Sequence, residues 1–170
     1  DLENAEIWKA SFANVKLSGN WARDVLAIAE SQLGYRESTR NVVLLEDGSV
    51  KGYTRYGAWY EAPYIDWSAA FVSFCTHYAG VDALPQDSSC ESYLSRLEEL
   101  GLLRTPMDYL PKPGDIVVLN TDGDEETKAD HLGIVSELLK NDAGELTVVK
   151  VLVGDANDQV RYLTYDILSG

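Results

Sequence analysis

The chain has 170 residues, of which 45% are hydrophobic, so it can form one domain with a buried core and is not a disordered segment. Its formal net charge of −14 argues against nucleic acid as the main partner, because phosphate binding requires clustered Lys and Arg. The sequence has no run of about 18 apolar residues, so no membrane-spanning helix and no membrane insertion are predicted.

Residues 1–20 are predicted to be an N-terminal extension, and residues 21–170 one domain. A helix is predicted over 21–33, where apolar residues recur at helical spacing, with Asn20 as N-cap and Gly34 as stop. Residues 35–65 are rich in aromatic residues, Gly and polar groups and lack sustained periodicity. They are predicted to form a long structured loop, which is the kind of segment that often carries function.

A second helix is predicted from Trp67 to Ala79, and its apolar residues on nearly all sides indicate a buried central helix. A third runs from about Ser89 to Leu100. After "LPKPGD" the period changes, and four β-type runs follow: "DIVVLN", "HLGIVSELL", "ELTVVKVLV" and "VRYLTYDIL". The order of elements predicts an α+β fold in which an antiparallel sheet packs on the central helix.

The residue types needed for nucleophilic catalysis occur in a consistent arrangement. Ser68 lies where the buried helix starts, and His131 opens a predicted strand. His77 is nine residues beyond Ser68 (77 − 68), which places it on the opposite side of the same helix. His131 is therefore the candidate base, and Asp155 or Asn157 in "VLVGDAND" is the candidate for the group that orients the imidazole.

The remaining polar residues do not indicate a metal or a cofactor. Cys75 and Cys90 lack zinc-site spacing, and two buried free thiols are favoured over a disulfide between them. The acidic run "NTDGDEETKADH" has the Asp-x-Asp spacing of a calcium loop without the rest of that pattern. It is predicted to be a solvent-exposed hairpin.

Four segments together resemble the CHAP-type cysteine hydrolases, within the NlpC/P60 and papain-like group. "PYIDWSAAFVSFCTHYAG" is similar to their loop and helix start, which reads D-W-C-A-x-F-V-S-x-C, and "PKPGDIVVLN" to their P-G-D strand. "DHLGIVSEL" resembles the strand that carries their catalytic His, and "GYTRYGAWYEAPY" the aromatic loop before the nucleophile. The similarity covers residues 22–168 in the expected order.

The resemblance implies a papain-like fold and a Cys–His–Asn or Cys–His–Asp mechanism that requires no cofactor. Ser68 falls at the position of the catalytic Cys, and His131 at that of the base. Asp155 falls where the family has Asn, and Val153 where it often has Glu. The implied activity is hydrolysis of an amide bond of peptidoglycan, by an endopeptidase or an N-acetylmuramoyl-L-alanine amidase.

The same resemblance suggests which residues bind substrate. The backbone N–H of Ser68 is the expected first donor to the oxyanion, and Tyr64 is the candidate for the second. Trp59, Tyr60 and Trp67 are candidates for the walls of a substrate groove, with core packing as the alternative for Trp67.

Ser at position 68 departs from the family, because a helix N-terminus can lower the pKa of a thiol but cannot ionise a hydroxyl. Three explanations are open: an engineered, inactive Cys-to-Ser variant, a natural non-catalytic relative, and a working serine enzyme. The first is favoured. Taken alone, Ser68 could also simply be the N-cap of its helix.

The resemblance further implies an extracellular or cell-surface location, in a Gram-positive bacterium, for a monomeric domain of a larger protein. An acidic domain gains nothing from charge when it binds an anionic wall, so anchoring is expected elsewhere in that protein. The rival classes are a non-catalytic module that binds a muropeptide or a protein tail, and a protein-directed cysteine protease.

Overall fold

A computed structural model describes residues 5–105, 107–121 and 128–166. The fold is α+β, as predicted, with an antiparallel sheet in the second half of the chain. The helices are α1 Ala5–Ala13, α2 Trp21–Glu30, α3 Arg55–Trp59, α4 Ser68–Tyr78 and α5 Cys90–Glu99, and the strands are β1 Val42–Leu44, β2 Val50–Gly52, β3 Ile116–Leu119, β4 His131–Lys140, β5 Leu146–Val153 and β6 Arg161–Asp166.

The main sheet has the strand order β3-β4-β5-β6, in which every neighbouring pair is antiparallel. All four strands fall on the four predicted β-type runs. His131 pairs with Leu119 of β3, and Gly133 pairs with Val153 of β5. The start of β4 and the end of β5 therefore lie at the same end of the sheet.

Helix α4 is the buried central helix that the sequence predicts. Its residues from Ser68 to Thr76 are all buried, and Phe71 belongs to the same core cluster as Leu132 of β4. The end of β5 approaches this helix closely, because a Cβ on Gly154 would lie 2.6 Å from the Cβ of Phe71. A glycine here lets the sheet come within contact of α4.

The other two predicted helices form with small differences at their ends. The side chain of Asn20 caps α2 and accepts the N–H of Arg23 at 3.1 Å, as predicted. Helix α2 ends at Glu30 rather than residue 33, because residues 31–34 form a turn that Gly34 closes with φ of 88°. Ser89 is the N-cap of α5.

Residues 35–65 contain more regular structure than the sequence predicts. Strands β1 and β2 pair as a hairpin around the turn "EDGS", and the short helix α3 follows, capped by Thr54. The strands have three residues each, which is too short for a periodic pattern. The Asp-Gly pair between two apolar runs is the sequence feature that indicates this hairpin.

Helix α1 lies inside the predicted N-terminal extension and packs on the core. The Trp8 ring lies 5.5 Å from that of Tyr35, and the Phe12 ring lies 4.8 Å from that of Tyr78. In the described part of the chain, no helix has both the length and the apolar character needed to cross a membrane. The predicted acidic hairpin lies partly outside the described residues, because these omit 122–127.

Candidate functional site

Ser68 is the first residue of α4 and is only 3% exposed. Trp67 occupies the N-cap position, so the interpretation of Ser68 as the helix cap is wrong. The Ser68 hydroxyl lies 3.2 Å from Cys90 Sγ and accepts the backbone N–H of Leu132 at 3.4 Å. These contacts bring the starts of α4, α5 and β4 together at one hydroxyl.

His131 is the first residue of β4 and directly precedes Leu132, whose backbone N–H reaches the Ser68 hydroxyl. Its Nδ1 atom is buried and has no hydrogen-bond partner among the described residues. A buried ring nitrogen without a partner is uncommon, since burial normally requires a hydrogen bond. The part of the chain that the structure describes thus leaves the hydrogen-bonding capacity of this atom unused.

Asp155 follows the end of β5 and reaches the start of α4. Strand β5 ends at Val153, which pairs with Gly133, so Asp155 lies two residues beyond the strand end near which β4 begins. The Asp155 carboxylate accepts the backbone N–H of Trp67 at 2.9 Å, and this is the contact that the structure gives it. Asp155 thus lies at the predicted end of the sheet, while its role in orienting the imidazole stays a prediction.

The environment of Asp155 favours its protonated form. Burial, followed by the negative charges of Asp66 and Glu37, raises the pKa of this carboxyl to about 7. The Trp67 N–H and the charge of Lys51 act in the opposite direction. The alternative orienting residue, Asn157, is exposed in the turn after Asp155, with φ of 53°.

Glu37 is a site residue that sequence reasoning missed. One carboxylate oxygen accepts the indole N–H of Trp67 at 3.0 Å, and the other accepts the backbone N–H of Gly52. Glu37 therefore connects the β1–β2 hairpin to the residue before position 68. An isolated Glu in an irregular aromatic loop gives no sequence signal for this role.

The oxygens of Glu37, Asp155 and Asp158 lie within 4.8 Å of one another. Such a group can attract a cation. Here, however, both Glu37 oxygens accept N–H groups, and one oxygen of Asp155 does the same. Hydrogen bonding within the protein accounts for the cluster, so we do not assign a metal to it.

Two of the four aromatic candidates for substrate binding, Trp67 and Trp59, lie in or against the core. Trp67 is 0% exposed and stacks on Tyr56 with ring centroids 5.3 Å apart, so the core alternative holds for it. Trp59 contacts His77 at 5.3 Å, and the Tyr60 hydroxyl donates to the Gln86 carbonyl at 3.5 Å. His77 is nine residues from position 68 on α4 (77 − 68), or roughly 13 Å along the helix axis.

The contacts of Trp59 therefore place it beside the C-terminal half of α4, away from Ser68. Tyr64 has a different neighbour. Its hydroxyl donates to Asn41 at 2.8 Å, next to the β1–β2 hairpin. The hydroxyl of Tyr64, the candidate for the second oxyanion donor, thus already donates a hydrogen bond to Asn41. The position of an aromatic residue close to residue 68 in the sequence does not determine where its side chain points.

The two cysteines are free thiols in different environments. Cys75 is fully buried, and burial raises its pKa well above the usual value. Cys90 is partly exposed; burial raises its pKa as well, while hydrogen bonds from Ser68 and from the backbone N–H of Ala69 lower it. The sulfur of Cys90 thus lies against the first turn of α4.

The chain matches no family model, no curated protein and no solved structure. The resemblance to CHAP hydrolases therefore depends on the four sequence motifs and on where the fold brings them.

Proposed function

We propose that this chain has the papain-like fold of the CHAP hydrolases and carries the site of a domain that hydrolyses an amide bond of peptidoglycan, with Ser68 at the position of the catalytic Cys. The bond is either one within the peptide stems and crosslinks or the N-acetylmuramoyl-L-alanine amide. We propose that the domain acts at or outside the cell surface. As it stands, with Ser68, the chain is expected to be inactive.

One observation carries the proposal: the Leu132 N–H reaches the Ser68 hydroxyl at 3.4 Å. This contact joins the helix start where the family has its nucleophile to the strand start where it has its base. Residues 64 positions apart meet here, in agreement with the arrangement that the motifs imply. The other two groups of a nucleophilic site are the imidazole of His131, whose Nδ1 has no partner among the described residues, and the Asp155 carboxylate, which bonds the backbone N–H of Trp67.

The proposed reaction begins when a thiol at position 68 loses its proton to His131 and attacks the amide carbonyl carbon. The oxyanion that forms accepts the backbone N–H of residue 68. His131 then gives the proton to the leaving amine, and the C–N bond breaks to leave a thioester. Water attacks the thioester, His131 takes its proton and returns it to sulfur, and the carboxylic acid product leaves.

A hydroxyl at position 68 does not support these reaction steps as well as a thiol does. The helix N-terminus contributes about half a positive charge, which helps to ionise a thiol but falls far short of ionising an alcohol. Ser and Cys have similar size and shape, so the fold is expected to tolerate either residue. The Ser68 side chain therefore preserves the site and removes its nucleophile.

Restoring the thiol tests the proposal. Ser68→Cys is incubated with purified sacculi under reducing conditions, and soluble muropeptides are separated by chromatography. We expect release by Ser68→Cys, and no release by the parent chain or by Ser68→Cys combined with His131→Ala. Release that is unaffected by His131→Ala, or no release from any sacculus preparation, would contradict the proposed hydrolase.

A non-catalytic binding module is the second candidate. It is favoured by the burial of Ser68, which is 3% exposed, and by Val153 at the position where the family often has Glu. This candidate predicts that Ser68→Cys releases no product while both forms bind sacculi equally in a pull-down. A protein-directed protease would instead cleave a polypeptide and leave sacculi intact.

A further inference from the structure

Cys90 and Ser68 meet where two helices begin. Cys90 is the first residue of α5 and Ser68 the first residue of α4, and their side-chain Sγ and Oγ atoms are 3.2 Å apart. The Ala69 N–H also bonds the Cys90 thiol, while Leu132 N–H reaches Ser68 from β4. The Cys90 sulfur thus lies against the atom that would be the nucleophile.

We propose that position 68 and Cys90 form a redox pair: when residue 68 carries a thiol, an intramolecular disulfide with Cys90 forms and blocks the nucleophile. This inference rests on the proposed function, which assigns a thiol to position 68. It gives Cys90 a regulatory role that the hydrolytic reaction itself does not require.

The geometry favours a disulfide between residue 68 and Cys90 over one between residue 68 and Cys75. A disulfide has an S–S distance of about 2.05 Å, so atoms already in contact need to approach by about 1 Å. A Cys side chain also reaches further than Ser, because the C–S bond is longer than C–O. Cys75 lies two helical turns further along α4 and is 0% exposed, so it is a poor partner for residue 68.

The exchange needs an oxidant, and a low-molecular-weight disulfide such as oxidised glutathione supplies it. Cys90 is partly exposed, so its thiolate attacks one glutathione sulfur and releases the first reduced glutathione. The thiolate of residue 68 then attacks the Cys90 sulfur and releases the second. Two protein thiols lose two electrons and two protons, and one glutathione disulfide becomes two thiols.

The environment of Cys90 sets the conditions under which the pair oxidises. Because burial raises the pKa of the Cys90 thiol, the first attack is expected to become faster as pH rises above neutral. With Ser at position 68 the second attack cannot occur. The parent chain is therefore expected to stop at a mixed disulfide on Cys90.

The test is oxidation of Ser68→Cys with oxidised glutathione, followed by intact-mass measurement and non-reducing peptide mapping. We expect the mass to fall by that of two hydrogen atoms and the map to show a crosslink between positions 68 and 90. Ser68→Cys with Cys75→Ser is expected to form the crosslink equally well. Ser68→Cys with Cys90→Ser is expected to form none, and the parent to carry one glutathione on Cys90.

Glutathione retained on Ser68→Cys without a crosslink would overturn the inference, as would a crosslink that survives Cys90→Ser. Repeating the oxidation in denaturant is expected to give mixed pairings, which shows that the native fold directs the specific one. These readouts do not depend on hydrolysis. If Ser68→Cys forms the crosslink but releases no muropeptides when reduced, the redox pair is supported and the hydrolase is rejected. If it releases muropeptides when reduced but forms no crosslink, the hydrolase is supported and the redox pair is rejected.

Discussion

Position 68 and Asp155 show how single side chains determine the chemistry at the start of α4. Ser68 is buried, and its hydroxyl is surrounded by Cys90 and the Leu132 N–H, so a thiol of similar size would occupy nearly the same space. The chemical difference is large because only the thiol ionises readily near neutral pH. Asp155 is held in a left-handed backbone conformation, with φ of 65°, which Asn tolerates at least as well.

At the residue scale, we predict that Asp155→Asn stabilises the protein at alkaline pH. Burial above all raises the folded-state pKa of Asp155 to about 7, against about 4 for an unperturbed carboxyl. The folded state therefore binds the proton more tightly than the unfolded state. This contribution to stability is fully present below about pH 4 and is lost as pH rises through about 7.

The free energy of unfolding of Asp155→Asn should accordingly exceed that of the parent by about 1–3 kcal/mol at pH 8, and by less at pH 4. Urea denaturation at the two pH values measures both differences. Asp142→Asn, at an exposed position in the turn between β4 and β5, is the matched control for removing one negative charge. An Asp155→Asn difference that does not change between pH 4 and pH 8 would contradict the prediction.

At the scale of elements, two carboxylates hold the residue that precedes position 68. Asp155, at the end of β5, accepts the Trp67 backbone N–H, and Glu37 accepts its indole N–H. Because Trp67 is the N-cap of α4 and has no side-chain cap hydrogen bond in the described structure, these contacts fix where the helix begins. Glu37 also bonds Gly52 of β2, so the hairpin is connected to the same point.

Glu37→Gln is predicted to destabilise the protein by about 1–3 kcal/mol, because an amide nitrogen cannot accept and one N–H is left unpaired. If the indole contact accounts for most of this cost, Glu37→Gln should cost less when Trp67 is already Phe. A double-mutant cycle of unfolding free energies measures the coupling, which we expect to be about 1 kcal/mol. Additive effects of the two substitutions would show that Glu37 does not act through Trp67.

The elements that could be predicted from the sequence are those with a long repeat or a distinctive motif. Helix α4 has an apolar run that is too long for a strand. Strand β4 coincides with the motif "DHLGIVSEL", which places His131 at the start of a strand. Glu37 could not be predicted, because its contact with Trp67 joins residues 30 positions apart and nothing local marks it. The contacts of Tyr64 with Asn41 and of Trp59 with His77 could not be predicted either, because an irregular loop gives no periodicity from which to infer the direction of a side chain.

At the scale of the whole molecule, the core extends beyond the boundary predicted at residue 20. Phe12 of α1 packs its ring 5.5 Å from that of Phe74 and 4.8 Å from that of Tyr78, both on α4. Trp8 and Phe12 are four residues apart, a spacing that places both on one face of a helix and indicates that this face packs on the core. Helix α1 therefore covers part of the helix that carries position 68.

Phe12→Ala is predicted to lower the free energy of unfolding by about 1–3 kcal/mol, since it removes aromatic contacts from a partly buried site. Ile7→Ala, on the same helix but 61% exposed, is the matched control and should stay within about 0.5 kcal/mol of the parent. Thermal or urea denaturation measures both. Equal effects of the two substitutions would indicate that α1 does not contribute to the core in solution.

Mass spectrometry of the products that Ser68→Cys releases from purified peptidoglycan tests directly whether this chain carries the site of an amide hydrolase. Each amide bond that is hydrolysed takes up one water, which is shared between a new carboxyl and a new amino group. An endopeptidase creates both groups within the stem or crosslink peptides, whereas an amidase frees the lactyl carboxyl of the glycan and the amino group of L-alanine. The first pattern assigns an endopeptidase and the second an amidase. Intact peptidoglycan after incubation with folded, reduced Ser68→Cys would contradict the proposed hydrolase.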